Sequence, residues 1–144
     1  MKPALCIIVP VLDEAVRLGA FLDRLQPLRH RGVRLVIVDG FAGPGVYKGE
    51  EPGSPIIALQ AFLEHQYRDT ITAELIYIFI EEDAKRVARL QQEVEKLGKL
   101  PSQAKVHVIH GAYEDVFSQA LDEVEGKGGS LAPTFAFIDP FGYA

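Results

Sequence analysis

A glycine-rich segment after the second predicted strand holds the residues whose types and spacing are best suited to binding a ligand. Because glycine has no Cβ, Gly40, Gly43 and Gly45 let the backbone turn sharply and approach a ligand closely. Their spacing, G-x-x-G-x-G, differs from the dinucleotide-binding G-x-G-x-x-G, and the chain has no Gly-Lys-Ser/Thr phosphate loop. The segment therefore predicts a binding loop other than a diphosphate cradle, with a ligand-free turn as the alternative. Its binding candidates are Asp39, Gly40, Phe41, Ala42, Gly43 and Gly45.

Acidic and aromatic residues follow the next two predicted strands. Glu81 comes directly after the strand 75–80, where a carboxylate can accept two hydrogen bonds from a ribose diol. The alternative is an acid at a helix N-terminus, which the helix dipole favours. Tyr113 and Glu114 follow the strand 105–109, where the ring can cover a base and the acid can accept from its amino group. Helix capping explains these two residues equally well.

A short segment after the last predicted strand supplies the catalytic candidates. Asp139, Pro140 and Phe141 follow the strand 134–138, and the rigid proline fixes a carboxylate at the mouth of a cleft. We take the three residues as the group that positions an acceptor, with an Asp-Pro turn as the alternative. No metal site is predicted, because His107 and His110 are three residues apart in a strand and point to opposite faces.

Strands and helices alternate along the chain, so these loops are expected at one edge of a sheet. Short apolar runs predict strands at 5–11, 34–38, 75–80, 105–109 and 134–138, with amphipathic helices between them. Continuous apolar strands are typical of parallel sheets covered on both faces. We expect a single α/β domain over residues 1–144, with a Rossmann-like, mostly parallel sheet of about five strands and helices on both faces.

Two helices carry more detailed predictions. Ser54 is predicted to cap a helix that begins with Pro55 and runs to about residue 65. Val87, Leu90, Val94 and Leu97 form the apolar stripe of a second helix, with charged and amide residues on its back and Gly98 at its end.

Composition excludes several function classes. The 144 residues carry a net charge of −5, so the chain has no basic footprint for nucleic acid. No apolar run reaches the ~18 residues that a membrane span needs, so we expect no membrane association and a cytoplasmic protein. The single cysteine, Cys6, excludes an internal disulfide framework.

Four blocks of residues 39–144 stand in the order found in a known family: 39–45, Tyr47, 51–55 and 137–142. With these blocks the segment resembles a class I S-adenosylmethionine-dependent methyltransferase core and, more narrowly, the three-Cys-motif partner proteins. The resemblance implies S-adenosylmethionine as cofactor. Residues 39–45 would hold its methionine moiety, Glu81 its ribose and the loop 111–115 its adenine. It also implies an unidentified methyl acceptor, nucleic acid or protein, and a partner protein.

The first forty residues resemble a different family. Residues 7–15 and 36–40 are similar to the start of a family-2 glycosyltransferase. That resemblance assigns Pro10, Leu12, Glu14 and Asp39 to a sugar nucleotide, although the chain has no metal-binding Asp-x-Asp motif.

The two resemblances overlap at Val38, Asp39 and Gly40. We interpret the chain as two unrelated beginnings joined there. Residues 1–38 form a glycosyltransferase-like βαβ start, and residues 39–144 an incomplete nucleotide-binding core that is truncated at the C-terminus. Three hypotheses follow from the sequence: a methyltransferase-like cofactor binder, a sugar-nucleotide binder, and an interaction fragment that binds neither nucleotide.

Overall fold

Parallel strand pairs form the centre of the fold in the computed structural model. The structure describes residues 6–9, 34–66, 68–70, 74–126 and 134–137. Its strands are β1 (Cys6–Val9), β2 (Arg34–Asp39), β3 (Glu74–Glu81), β4 (Ala104–His110) and β5 (Thr134–Phe137). Neighbouring strands pair in parallel in the order β1-β5-β2-β3-β4. The described residues form three α-helices, α1 (Ser54–Leu63), α2 (Ala84–Lys96) and α3 (Tyr113–Gly126), and a short 3-10 helix spans Arg68–Thr70.

The chain changes direction across the sheet at β2. From β2 it continues through β3 and β4 on one side, and it returns as β5 on the other side of β2. Asp39 at the end of β2 is in register with Phe79 of β3 and with Phe137 of β5. Such a switch in strand order opens a crevice at the carboxyl ends of the strands. The glycine-rich loop leaves β2 at this crevice.

Alternating residues of the central strands face two apolar clusters. The larger cluster contains Leu35 and Ile37 of β2 and Leu75, Tyr77 and Phe79 of β3, and residues of α1 and α2 cover it. The opposite face of the sheet contributes a smaller cluster, whose buried members are Val38, Ile80 and Ala136. By the same alternation, Asp39 and Glu81 point to the face of the larger cluster.

The smaller cluster is covered from α3, whose Tyr113 and Val116 pack against it. Helices therefore contact both faces of the described sheet. Together with the parallel pairing, these contacts confirm the predicted α/β class.

The predicted helix cap at Ser54 is wrong. The N-cap is Gly53, and Ser54 and Pro55 are the first two residues of α1. The helix begins one residue earlier than predicted because the Gly53 carbonyl already accepts a helical hydrogen bond from the Ile57 N–H. The Gly53 N–H donates to the Gly45 carbonyl at 2.7 Å, which fixes Gly53 against the loop. The stripe on α2 is confirmed: Val87 and Leu90 are buried, and Val94 and Leu97 pack against the larger cluster. Gly98 follows α2 with a left-handed φ of 81°.

Candidate functional site

Two contacts close the base of the glycine-rich loop, which spans residues 40–53. The buried Asp39 carboxylate accepts from the Phe41 N–H at 3.2 Å through Oδ1 and from the Ser54 hydroxyl through Oδ2. The second contact is the Gly45–Gly53 backbone hydrogen bond described above. Because Gly53 has no side chain to cap α1, Asp39 supplies a carboxylate to the first residue of that helix from the end of β2. Asp39 therefore joins a strand, a loop and a helix.

Two glycines in the loop adopt left-handed backbone conformations. Gly45 has a φ of 87°, and a Cβ there would lie 3.0 Å from Leu90 Cδ1 and 3.3 Å from Glu93 Cβ. Gly43 has a φ of 70°, and a Cβ there would meet no atom of the described part of the chain within 4 Å. Gly45 is thus required by the packing of α2, whereas the space beside Gly43 is open. Gly43 is therefore the glycine of the loop at which a side chain would not contact the described residues.

Glu81 connects the end of β3 to the same loop. Its Oε2 accepts from the Gly43 N–H at 2.8 Å, and its Oε1 accepts from the Asp83 N–H at 3.0 Å. Arg86 of α2 lies beside it, with Nη1 3.8 Å from Oε1. The Glu81 side chain is only 8% exposed. The carboxylate therefore holds the loop against the strand that pairs with β2.

Aromatic rings cover the other side of the loop. The Tyr113 ring lies on Gly40, so closely that a Cβ at Gly40 would come within 2.5 Å of Tyr113 Cδ2. The ring centroid of Tyr113 is 5.8 Å from that of Phe41 and 5.5 Å from that of Phe117. These three half-buried rings line the end of β2 on the face of the smaller cluster. Tyr113 is therefore in contact with Gly40 and Phe41, as a shared site requires.

Glu93, Arg89 and Lys96 form a network of ion pairs on α2, next to the loop. Glu93 is buried next to Gly45, and its Oε1 accepts from Lys96 Nζ at 2.8 Å and from Arg89 Nε at 2.9 Å. The Lys96 ammonium, with the Arg89 guanidinium beside it, lowers the pKa of Glu93 below its usual range. Arg89 also lies 4.0 Å from Glu50 at the tip of the loop. The helix thus contacts the loop at Gly45 and at its tip.

Asp83, and not Glu81, is the acid that caps the helix after β3. Its side chain accepts from the Arg86 N–H at 2.9 Å, and this hydrogen bond lowers the pKa of Asp83. The alternative stated above for Glu81, an acid at a helix N-terminus, therefore applies to Asp83. Glu114 is exposed in the first turn of α3, where its charge suits the positive end of the helix dipole.

The structure brings most of the predicted binding residues together. Loop residues 39–45 and Glu81 are joined by hydrogen bonds, and Tyr113 contacts the loop through its ring. The catalytic candidates Asp139, Pro140 and Phe141 lie outside the described residues, as do the glycosyltransferase-like Pro10, Leu12 and Glu14.

Sequence reasoning missed three contributors to the site: Ser54, Arg86 and Glu93. Glu93 carried a signal, because it lies three residues after Leu90 and so falls on the edge of the apolar stripe. Ser54 and Arg86 act on partners elsewhere in the chain, and spacing alone does not reveal such pairs.

The arrangement defines an α/β protein with a glycine-rich loop at the switch point of a parallel sheet. No protein-family model, curated protein or solved structure matches the chain. Within the described ranges, no three His, Cys, Asp or Glu side chains are grouped so that they could hold a metal ion. None of the helices in the described part of the chain is long and apolar enough to cross a bilayer.

Proposed function

We propose that the chain is an S-adenosylmethionine-binding domain of the methyltransferase class, built on a Rossmann-like sheet of five strands. The observation that carries the proposal is the hydrogen bond between Glu81 at the end of β3 and Gly43 in the loop after β2. It joins an acid and a glycine-rich loop at adjacent strand ends, beside the crevice where open α/β sheets bind ligands.

The chemistry of the site suits a nucleoside with a small polar extension. Glu81 supplies carboxylate oxygens for the hydroxyl groups of a ribose, and such charge-assisted hydrogen bonds are short and strong. The open side of Gly43 lets the backbone approach the extension without a Cβ between them. The half-buried rings of Phe41 and Tyr113 offer apolar area to a base.

S-adenosylmethionine, when bound, supplies an electrophilic methyl group, and the contribution of the chain to transfer is alignment of donor and acceptor. In this proposal the loop 40–45 and Glu81 orient the donor. Asp139, with the rigid Pro140 and the ring of Phe141, orients the acceptor. The acceptor is a nucleic acid or a protein, and because the chain is acidic, a nucleic acid would need a basic surface from a partner protein.

The sugar-nucleotide hypothesis receives less support from the geometry. It requires Asp39 to face a uracil, yet both carboxylate oxygens of Asp39 accept hydrogen bonds from Phe41 and Ser54, and the residue is 3% exposed. Releasing Asp39 would leave the first turn of α1 without this partner. The methyltransferase-like hypothesis also includes Asp39 in its binding segment, residues 39–45, but the glycines of that segment can approach the methionine moiety while Asp39 keeps both hydrogen bonds.

Calorimetric titration with S-adenosylhomocysteine tests the proposal. The variant Gly43→Asn puts a side chain into the open space of the loop, and asparagine tolerates the left-handed φ. The matched control is Gly98→Asn, because Gly98 also has a left-handed φ and, among the described residues, no atom within 4 Å of its Cβ position, but lies after α2 and outside the loop.

We expect Gly43→Asn to weaken binding by at least about tenfold, or 1.4 kcal/mol, and Gly98→Asn to leave it unchanged. Absence of binding to the folded wild-type chain refutes the proposal. Binding of uridine diphosphate with manganese in place of S-adenosylhomocysteine favours the sugar-nucleotide alternative.

A further inference from the structure

The Glu81 carboxylate is occupied by the protein's own backbone. Oε2 accepts from Gly43 and Oε1 from Asp83, while the Arg86 guanidinium lies 3.8 Å from Oε1. With 8% of the side chain exposed, little of the carboxylate faces solvent. Each oxygen keeps a further lone pair, but because the side chain is so little exposed, we infer that a ligand with two hydroxyl groups reaches Glu81 only when one of these donors moves away.

The donor that can be displaced at least cost is the Gly43 N–H. Asp83 is bound two residues from Glu81 along the chain and also caps α2. Gly43, by contrast, is 38 residues away and belongs to a loop, so its bond can break without disturbing a helix or strand. The carboxylate oxygen that it releases lies on the side of Glu81 that faces the loop.

Anchors on both sides of Gly43 limit how far the loop must move. On one side the Ala42 N–H donates to the Ile80 carbonyl at 2.9 Å, and on the other the Gly45 carbonyl accepts from Gly53 at 2.7 Å. Pro44, between these anchors, has no N–H of its own. Only Gly43 and Pro44 have to shift, and the left-handed φ of Gly43 makes it the natural pivot.

We propose that the Glu81–Gly43 hydrogen bond is a latch that opens when the cofactor binds. In the free protein the latch holds residues 43–44 against β3. In the bound protein the ribose hydroxyl groups of the cofactor take the place of the Gly43 N–H on Glu81. This inference rests on the proposed function, because it assumes a ligand with a diol at Glu81.

The experiment detects the latch directly in the full-length chain labelled with nitrogen-15 and carbon-13. A scalar coupling across the hydrogen bond joins the Gly43 amide nitrogen to the Glu81 side-chain carboxyl carbon, and it is recorded before and after saturation with S-adenosylhomocysteine. Amide hydrogen exchange at Gly43 is measured in parallel in the free chain, in Glu81→Gln and in Glu82→Gln. Glu82 is the matched control, because it neighbours Glu81 but is exposed.

We expect to observe the coupling in the free chain and to lose it in the saturated chain. Amide exchange at Gly43 should be about tenfold to a hundredfold faster in Glu81→Gln than in the wild type, and unchanged in Glu82→Gln. Should Glu81→Gln not fold, Glu81→Asp, which keeps the charge but is one methylene shorter, takes its place. A coupling that persists in the saturated chain overturns the latch and leaves the proposed function standing. A free chain that shows the coupling but binds no S-adenosylhomocysteine overturns the proposed function and, with it, the exchange of partners.

Discussion

Removing the hydroxyl group of Tyr77 should stabilise the protein. Tyr77 lies in the middle of β3, fully buried in the larger apolar cluster, with its ring centroid 5.9 Å from that of Phe79. Its hydroxyl oxygen is buried and has no hydrogen-bond partner among the residues that the structure describes. A hydroxyl that was hydrated in the unfolded chain therefore loses its hydrogen bonds on folding and gains none.

The size of the effect follows from this missing partner. Burying an unsatisfied polar group costs about 1–3 kcal/mol, and the variant Tyr77→Phe avoids that cost. The vacated oxygen site leaves a small void, which offsets part of the gain. We expect a net increase of about 1 kcal/mol in the free energy of unfolding, or roughly 3 °C in Tm for a chain of this length.

The same residue predicts a difference at alkaline pH. Burial raises the pKa of Tyr77 well above the ordinary value of 10.0. Above pH 10 the unfolded chain releases this proton and the folded chain keeps it, so the wild type loses up to about 1.4 kcal/mol of stability per pH unit from this residue. Phenylalanine does not titrate. The advantage of Tyr77→Phe should therefore be constant below pH 9 and increase above pH 10.

Urea-induced unfolding between pH 7 and pH 11, at intervals of one unit, measures both effects. Tyr47→Phe is the matched control, because it deletes the same atom from a half-buried tyrosine and should give no stabilisation. A variant Tyr77→Phe that is less stable than the wild type at pH 7 would show that the hydroxyl has a partner in solution. An advantage that stays constant up to pH 11 would show that the hydroxyl titrates freely in the folded protein.

Two further predictions concern the support of the loop by α2. Gly45→Ala should destabilise the protein by about 1 kcal/mol more than Gly98→Ala in urea-induced unfolding. Both variants strain a left-handed φ, but of the two added Cβ atoms only the one at Gly45 would crowd the Leu90 side chain. Equal losses of stability would contradict this packing. Lys96 lowers the pKa of Glu93. The free energy of unfolding of the wild type should therefore fall more steeply than that of Glu93→Gln as pH falls below roughly 5. Parallel plots of the free energy of unfolding against pH would refute the ion pair.

Local pattern was sufficient to predict the elements that carry the loop. The strand predicted at 75–80 extends by one residue at each end, to Glu74–Glu81, because β2 pairs with its residues 74–79 and β4 pairs with its residues 75–81. The strand predicted at 105–109 likewise extends by one residue at each end, to Ala104–His110, and its Val106 and Val108 pack against the larger cluster. Where hydrophobic burial decides the conformation, the sequence contains the necessary information.

Contacts between distant residues account for what the sequence could not predict. Serine is a residue type typical of helix N-caps, but the Ser54 hydroxyl donates instead to the Asp39 carboxylate, 15 residues away in the chain. Glu93 lies at the edge of the apolar stripe of its helix, but its burial depends on the close approach of Gly45 from the loop. The orphan hydroxyl of Tyr77 depends on every neighbour in the core, and a strand pattern specifies only that the ring points inward.

The two buried carboxylates at the site differ in what they hold, and this difference decides which of them a ligand can use. Asp39 binds the hydroxyl of the first residue of α1, so displacing it would disturb a helix that covers the core. Glu81 binds a loop glycine whose neighbours are anchored independently at Ile80 and Gly53. A ligand can therefore bind Glu81 by displacing one loop residue, whereas binding Asp39 would disturb the start of α1. Two buried carboxylates are therefore not equivalent ligand sites, because they differ in the structural role of the hydrogen-bond partner that each must release.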